Sequence, residues 1–299
     1  MVRCKRIGGD TVKILSFGEI LWDVYPDKQH IGGAPLNFAA HLAKHGEDVS
    51  MLSALGKDTL GKEALQQLKA WGIDTTYVAT LSDKPTGSCQ VTLDANAVPT
   101  YNLLEDVAYD YIPCDTVTDT FDVLYFGTLA LRSTYNLESL EKLLNKGRHR
   151  DVFVDVNIRP PFYTAQTVRF AAENATIIKI SDEEMPTVAS LLGLETAAVQ
   201  DFVRVLAKKY PNLRCIIITR GADGALAFDT AHNALYSCES ERVQVVSTVG
   251  AGDSFSAAFL HKYLQGQGHD ACLVYAAKVA GFVVSHVGAV PEYHKAAFG

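Results

Sequence analysis

The chain has 299 residues, 48% hydrophobic and 20% charged, which excludes a disordered protein and allows a sizeable core. A formal net charge of -7 without any long Lys/Arg run excludes a general nucleic-acid surface, and no apolar run approaches the ~18 residues of a membrane helix. The six cysteines form no CxxC pair and several sit in apolar runs such as Arg214-Cys215-Ile216-Ile217-Ile218, so they are expected as buried small hydrophobes in a reducing compartment.

In chain order, Met1 to Asp10 is basic but leads into no secretory signal, and the expected location is the cytoplasm. Val12 to Phe17 is a buried strand ending at Gly18, and Asp23 to Ile31 is short and non-helical. Pro35 to His45 is a helix with Pro35 in its first turn and Gly46 as its stop. Asp58 to Trp71 is a second helix, capped by Asp58 or Thr59 and ended by Gly72, with Leu60, Ala64, Leu68 and Trp71 on one face. Gly87 to Asp94 alternates, turns at Asp94-Ala95-Asn96 and returns through Val98 to Glu105, a hairpin with no helix. Strands follow at Val152 to Val156, Thr176 to Ile180 and Cys215 to Thr219, separated by helical stretches that include Ala197 to Tyr210. Ala225 to Asp229 is a hairpin strand, Val243 to Val246 another strand, and Ser254 to Leu264 a helix.

This alternation predicts an α/β fold with a mostly parallel sheet and helices on both faces. The two non-helical pieces, about 23–34 and 86–110, are expected to form a small β-sheet from non-contiguous sequence, suited to a lid.

Thr248-Val249-Gly250-Ala251-Gly252-Asp253-Ser254-Phe255 carries the most chemistry. Glycines at a strand-to-helix turn aim backbone N–H groups outward, and with the helix dipole they make an anion site. Asp253 in the first helical turn stands within reach of whatever that anion reacts with; the plainer alternative is a favourable helix-start acid. At the other end of the chain, the glycines of Ile31-Gly32-Gly33-Ala34-Pro35-Leu36-Asn37 let backbone approach a ligand, and Asn37 projects from the first turn.

The Gly-Ala-Gly-Asp segment resembles the second signature of the ribokinase-like (phosphofructokinase-B type) carbohydrate kinases. The Gly32–Asn37 segment, continuing through Gly46 to Leu55-Gly56-Lys57-Asp58 and Gly61, resembles the first, and the likeness runs from about Ile14 to Ala289. The resemblance implies one ribokinase-like α/β domain over 1–299 with the lid just described, and transfer of the ATP γ-phosphoryl to a sugar hydroxymethyl. Asp253 is then the catalytic base, and the amides of Gly250, Ala251 and Gly252 hold the developing charge. Thr219-Arg220-Gly221-Ala222-Asp223-Gly224 resembles the family's T-x-G-x-x-G turn, which puts Thr219, Gly221 and Gly224 against the ATP phosphates and ribose. Ala277 and Gly281, with the Val287-Gly288-Ala289 loop, are implied beside the adenine, a tightly packed core helix being the alternative there. Ser181-Asp182-Glu183-Glu184 matches N-x-x-E with Ser181 in the Asn position, which makes Glu184 the residue tied to Mg²⁺ through water; its alternative is again a helix-start acid.

Asp23, Gly33 and Asn37 occupy the positions at which relatives hold the sugar. Phe126-Gly127-Thr128-Leu129-Ala130-Leu131-Arg132 and Asp155-Val156-Asn157-Ile158-Arg159-Pro160-Pro161 look most like the fructokinase branch; Arg159 neutralises the transferring phosphoryl or braces Asp155 in a structural ion pair. Glu105 stands where many fructokinases carry Arg, and a carboxylate there suits a neutral sugar better than an anionic one. Ser247 replaces the first Asp of the family's D-T-x-G-A-G-D, which puts a monovalent-cation site in doubt. The expected reaction is fructose to fructose 6-phosphate with ATP and Mg²⁺. The alternatives are ribokinase or another small-sugar or nucleoside kinase, and, in another class, a sugar-binding regulator on a kinase fold. A small-molecule sugar is the expected partner, with no nucleic acid, no membrane, and a homodimer through the lid as in relatives.

Overall fold

The computed structural model describes residues 12–25, 27–93, 99–147, 149–195 and 198–298. The predicted Asp94-Ala95-Asn96 turn and the Met1–Asp10 start lie outside the described residues. No helix among the described residues is long and apolar enough to cross a membrane.

In chain order the chain forms β1 (Lys13–Phe17), β2 (Leu21–Val24), β3 (Gln29–Gly32), α1 (Ala34–His45), β4 (Asp48–Gly56), α2 (Thr59–Ala70) and β5 (Val78–Leu81). Then come β6 (Gly87–Leu93), β7 (Pro99–Leu103), β8 (Val123–Gly127), α3 (Thr134–Lys146), β9 (Asp151–Asp155), α4 (Ala165–Asn174), β10 (Ile177–Ser181), α5 (Met185–Leu192) and α6 (Val199–Lys209). The chain closes with β11 (Cys215–Thr219), β12 (Ala225–Asp229), β13 (Ala234–Cys238), α7 (Ala251–Leu264) and α8 (His269–Val284).

Nine strands form the main sheet in the order β13-β12-β11-β10-β9-β8-β1-β4-β5. All its neighbours pair parallel except the hairpin edge β11-β12-β13. Alternation along each strand sends side chains to two separate cores. Leu15, Phe17, Ile216 and Ile218 join the core under α3 to α6. Ile14, Cys215 and Ile217 join the one under α1, α2, α7 and α8. The strands therefore carry apolar residues on both faces, which is why they read as continuous hydrophobic runs.

The remaining strands form a separate four-stranded sheet, β3-β2-β6-β7, drawn from two distant stretches as expected. It connects to the main sheet at the ends of β1 and β4. In the main sheet, β1 has β4 on one side and β8 on the other, so chain order reverses there. Ligands of open α/β sheets gather at the carboxyl ends of strands at such a reversal.

Two local expectations change. Val243 to Val246 is not a strand: Val243, Val245 and Val246 are exposed, and the Val246 and Ser247 amides both donate to the Val284 carbonyl at the end of α8. The pairing goes to a helix end, so the apolar alternation served a surface. Also, α7 begins at Ala251 and not Ser254. Gly250 caps it in the left-handed region (φ 79°), a conformation that favours glycine, and the Gly-Ala-Gly-Asp segment thus becomes the helix start itself.

Candidate active site

Gly250 is required twice over. Besides its positive φ, a Cβ there would lie 2.6 Å from the Ala289 carbonyl oxygen, so the turn packs directly on the 287–289 loop. In the first turn of α7 the Ala251 amide donates to the Thr248 carbonyl at 3.3 Å and the Ser254 amide to the Gly250 carbonyl at 2.9 Å, while the Gly252 and Asp253 amides precede any carbonyl of their own helix; all lie at the end where the helix dipole is positive. At Gly252 a Cβ would stand 3.3 Å from Lys179 Nζ, so a fixed cation sits immediately behind the turn.

That cation is anchored. Lys179 and Asp155 are register partners on β10 and β9, and Nζ donates to both carboxylate oxygens at 2.8 Å, with both side chains almost fully buried. The Ser256 hydroxyl lies 3.1 Å from Asp155 Oδ2 and 2.9 Å from the Gly252 carbonyl, tying the pair to the first turn of α7. The brace on Asp155 is therefore Lys179 and not Arg159. The reason is reach: Lys179 and Asp155 are register partners that project from the same face of adjacent strands, whereas Arg159 lies beyond the strand end and is exposed.

Asp253 is half-buried on α7 and accepts a hydrogen bond from Asn37 Nδ2 at 2.8 Å on Oδ2. Loss of solvent raises its carboxyl from the ordinary 3.8 to about 6; Asp155 adds to the rise, while Asn37, Lys179 and Arg159 oppose it. A carboxylate tuned toward neutrality is a better proton acceptor at working pH than an ordinary one. Asn37 reaches it because α1 begins at Ala34, where Ser16 Oγ donates to the Pro35 carbonyl and pins the helix start to β1.

Around Asn37 the structure brings together the other predicted sugar-end residues. Gly33 has φ 116°, and a Cβ would lie 2.4 Å from the Glu19 carbonyl oxygen. Asp23 sits on β2 of the small sheet; burial raises its carboxyl, with His30 and Arg159 opposing. A Cβ at Gly32 would stand 3.4 Å from Asp23 Oδ2, so the glycine leaves the space beside that carboxylate open. Arg159 acts electrostatically on Asp23, Glu19 and Asp253 alike. It follows Asn157, which holds a positive φ of 43°, a costly backbone state for a non-glycine residue. Glu105 is exposed and stands apart from this cluster. It lines a groove of about 580 Å³ with Asp110, Tyr111, Arg132 and Phe162, and its charge is felt by Arg132.

Glu184 uses both carboxylate oxygens on backbone, accepting from the Ile158 amide at 2.6 Å and the Ser181 amide at 2.8 Å. It links the ends of β9 and β10, and each oxygen keeps a second lone pair for water. Among the described residues no three His, Cys, Asp or Glu side chains gather as a metal cage. Thr219 ends β11 opposite Ser181, and its carbonyl accepts the Asp182 amide at 2.9 Å. Gly221 and Gly224 both have positive φ, and a Cβ at Gly224 would lie 2.0 Å from the Cys238 carbonyl oxygen. Ala277 is buried in the core of α8, while Gly281 on the same helix leaves room for Glu241, 2.8 Å from where its Cβ would be. Val243, Val245, Val246, Val249 and Val287 are exposed. Ser247 offers an oxygen without charge; its Oγ accepts the Val249 amide at 3.3 Å.

With that geometry in hand, the comparisons decide the family. The pfkB family carbohydrate kinase model matches residues 9–296. The chain belongs to that family. It is 30% identical to a fructokinase of Rhizobium leguminosarum bv. trifolii over 269 residues, 83% of this chain and 78% of that one. It is 25% identical to the 2-dehydro-3-deoxygluconokinase of Haemophilus influenzae, covering 88% of each. Among solved structures, a sugar kinase from Pyrococcus horikoshii in complex with ATP superposes with a TM-score of 0.80 at 25% identity, over 95% of this chain and 96% of that one. This protein is thus an ATP-dependent sugar kinase, and the relatives differ in the sugar they are named for.

Several residues of the site escaped the sequence reading. Glu19 is fully buried next to Asp253, and its signal was an acid directly after an apolar strand and Gly18. Lys179 was visible as a single charge inside Ile177-Ile178-Lys179-Ile180, a place that demands a partner. Arg132 closes the Phe126–Arg132 segment that resembles the fructokinase branch, but nothing local announced that it bonds Asp110 at 2.8 and 2.9 Å and lies between the rings of Tyr109 and Phe162.

Proposed function

We propose that this kinase phosphorylates the hydroxymethyl group of a neutral sugar, D-fructose first, with Asp253 as the general base. The observation that carries this is Asp253 itself, at the mouth of the Gly250–Gly252 turn, oriented by Asn37 and raised to about 6. The sugar hydroxymethyl gives its proton to Asp253 as the oxygen attacks the γ-phosphorus, and the bond to the β-phosphate oxygen breaks. The amides of the turn, backed by Lys179, hold charge on the transferring group, which is where phosphoryl transfer most needs it. Glu184 is the residue that would hold a magnesium ion, which would supply charge neutralisation of the nucleotide's phosphates. Thr219, Gly221 and Gly224 line the nucleotide path, with Gly281 and the exposed valines beside the base.

Charge supports a neutral acceptor. Asp23 and Asp253 bring two carboxylates to the site against Arg159, while Lys179 is already paired with Asp155, so a sugar acid meets net repulsion. The Rhizobium fructokinase supports fructose among neutral sugars. The small sheet, carrying Asp23, is the lid that excludes water as a rival acceptor. ¹³C and ³¹P NMR of the product from fructose and ATP tests the assignment: phosphorus coupled to C6 is expected, and phosphorus coupled to C1 or no product overturns it.

A further inference from the structure

Two buried acceptors in the sugar pocket have no donor among the described residues, Oε2 of Glu19 and Oδ1 of Asn37. Both belong to the start of α1. Glu19 packs its backbone against Gly33, and its Oε1 accepts the Ala34 amide at 3.1 Å. Asn37 stands three residues further along the helix. Helical side chains lean back toward the N-terminus, so Asn37 leans over the turn that Glu19 holds. Unmade hydrogen bonds at buried acceptors are costly, and a carboxylate and an amide oxygen cannot satisfy each other unless one carries a proton.

We propose that Glu19 is a positioning residue that works as a neutral acid, its Oε2 hydroxyl donating to Asn37 Oδ1 and so fixing the amide whose Nδ2 donates to Asp253. The hydrogen bonds then run one way, from Glu19 to Asn37 to Asp253. This rests on Asp253 as the base. The groups facing Glu19 favour its protonated form. Burial lifts its carboxyl to about 7 and the Asp253 charge from α7 adds to this, against the Glu19 and Ala34 amides and Arg159. The Tyr109 and Tyr125 side chains also lie within its field.

The working state holds one proton on the pair, with Glu19 protonated and Asp253 ionised. At lower pH both are protonated and the base is lost. At higher pH both are ionised, and Asn37 loses its donor. The two limbs belong to the pair and not to either residue alone. The profile of kcat/KM against pH is therefore a bell that rises near 6 and falls from about 7 upward.

The test is that profile for the unsubstituted enzyme, Glu19→Gln and Glu19→Ala, with thermal melts of all three. Glu19→Gln places an N–H donor where the hydroxyl was. It is expected to keep the acid limb, to lose the alkaline fall, and to stay within about threefold of the optimum; Glu19→Ala is expected to lose about tenfold or more at every pH. An alkaline fall that persists in Glu19→Gln, or a Glu19→Gln as impaired as Glu19→Ala, overturns the proposal. If Glu19→Gln does not fold, the carboxyl ¹³C shift of Glu19 in the unsubstituted protein decides: a titration near neutrality supports the neutral acid, and ionisation throughout overturns it. Inactivity on all sugars at every pH would count against the proposed function, while the carboxyl titration would still report on Glu19.

Discussion

Replacing Asp253 by Asn separates catalysis from stability, because the same burial that tunes the base also costs the fold. The Asn carbonyl can still accept from Asn37 Nδ2, so the 2.8 Å contact survives in weaker form. What disappears is the proton acceptor, a loss of about 10²–10⁴ in kcat. Stability moves the other way. A carboxyl moved from 3.8 to about 6 charges the folded state about 3 kcal/mol at 1.36 kcal/mol per pKa unit. Partial exposure of the side chain trims that to about 1–3 kcal/mol. The sign follows from a folded pKa above the unfolded one: the cost is absent below the unfolded value, grows between the two, and is complete above about 6. Asp253→Asn should thus melt higher than the parent at slightly alkaline pH and equally at strongly acid pH, with kcat down at least a hundredfold and ATP affinity little changed. Urea titrations at the two pH values and steady-state kinetics measure both. Near-normal kcat removes Asp253 from the mechanism; lowered stability at alkaline pH refutes the burial argument.

The remaining predictions concern the surroundings. Asp23→Ala should leave ATP binding intact and raise the sugar KM about 10–150-fold, the loss of a charged acceptor to hydroxyls; lost ATP affinity with an unchanged sugar KM, by calorimetry and kinetics, would reverse the two ends of the site. Lys179→Met strands the buried Asp155 charge and should cost about 3–5 kcal/mol by urea unfolding, most of it recovered in Lys179→Met/Asp155→Leu. Because Ser247 lacks a charge and already bonds the Val249 amide, kcat/KM should be nearly the same in potassium and in a bulky organic cation at equal ionic strength. Ser247→Asp should create a potassium dependence, and a large activation of the unsubstituted protein would refute this.

The fold was legible because both-face burial leaves continuous apolar strands, and Cys215–Thr219 was bounded to the residue. Helix ends were legible where a cap carried the signal, as with Asp58 Oδ1 accepting the Gly61 amide at 2.8 Å and Gly46 in the left-handed region. The 243–246 stretch misled because exposed valines of an irregular segment alternate no differently from those of a strand. Within the site, short-range motifs announced Asp253, Asn37 and Gly33. Long-range partners did not announce themselves: Lys179 and Asp155 are 24 residues apart and meet only through strand register. Glu19 and Asp253 are brought together by the packing of α1 between β1 and α7, which no local spacing encodes.

The most direct measurement of the central claim is kcat/KM with ATP across fructose, ribose, deoxyribose, a nucleoside and 2-dehydro-3-deoxygluconate, run on the unsubstituted enzyme and on Asp253→Asn. Fructose is expected highest and the sugar acid lowest, with every activity lost together in Asp253→Asn. A preference for the sugar acid, or turnover that survives in Asp253→Asn, would contradict it.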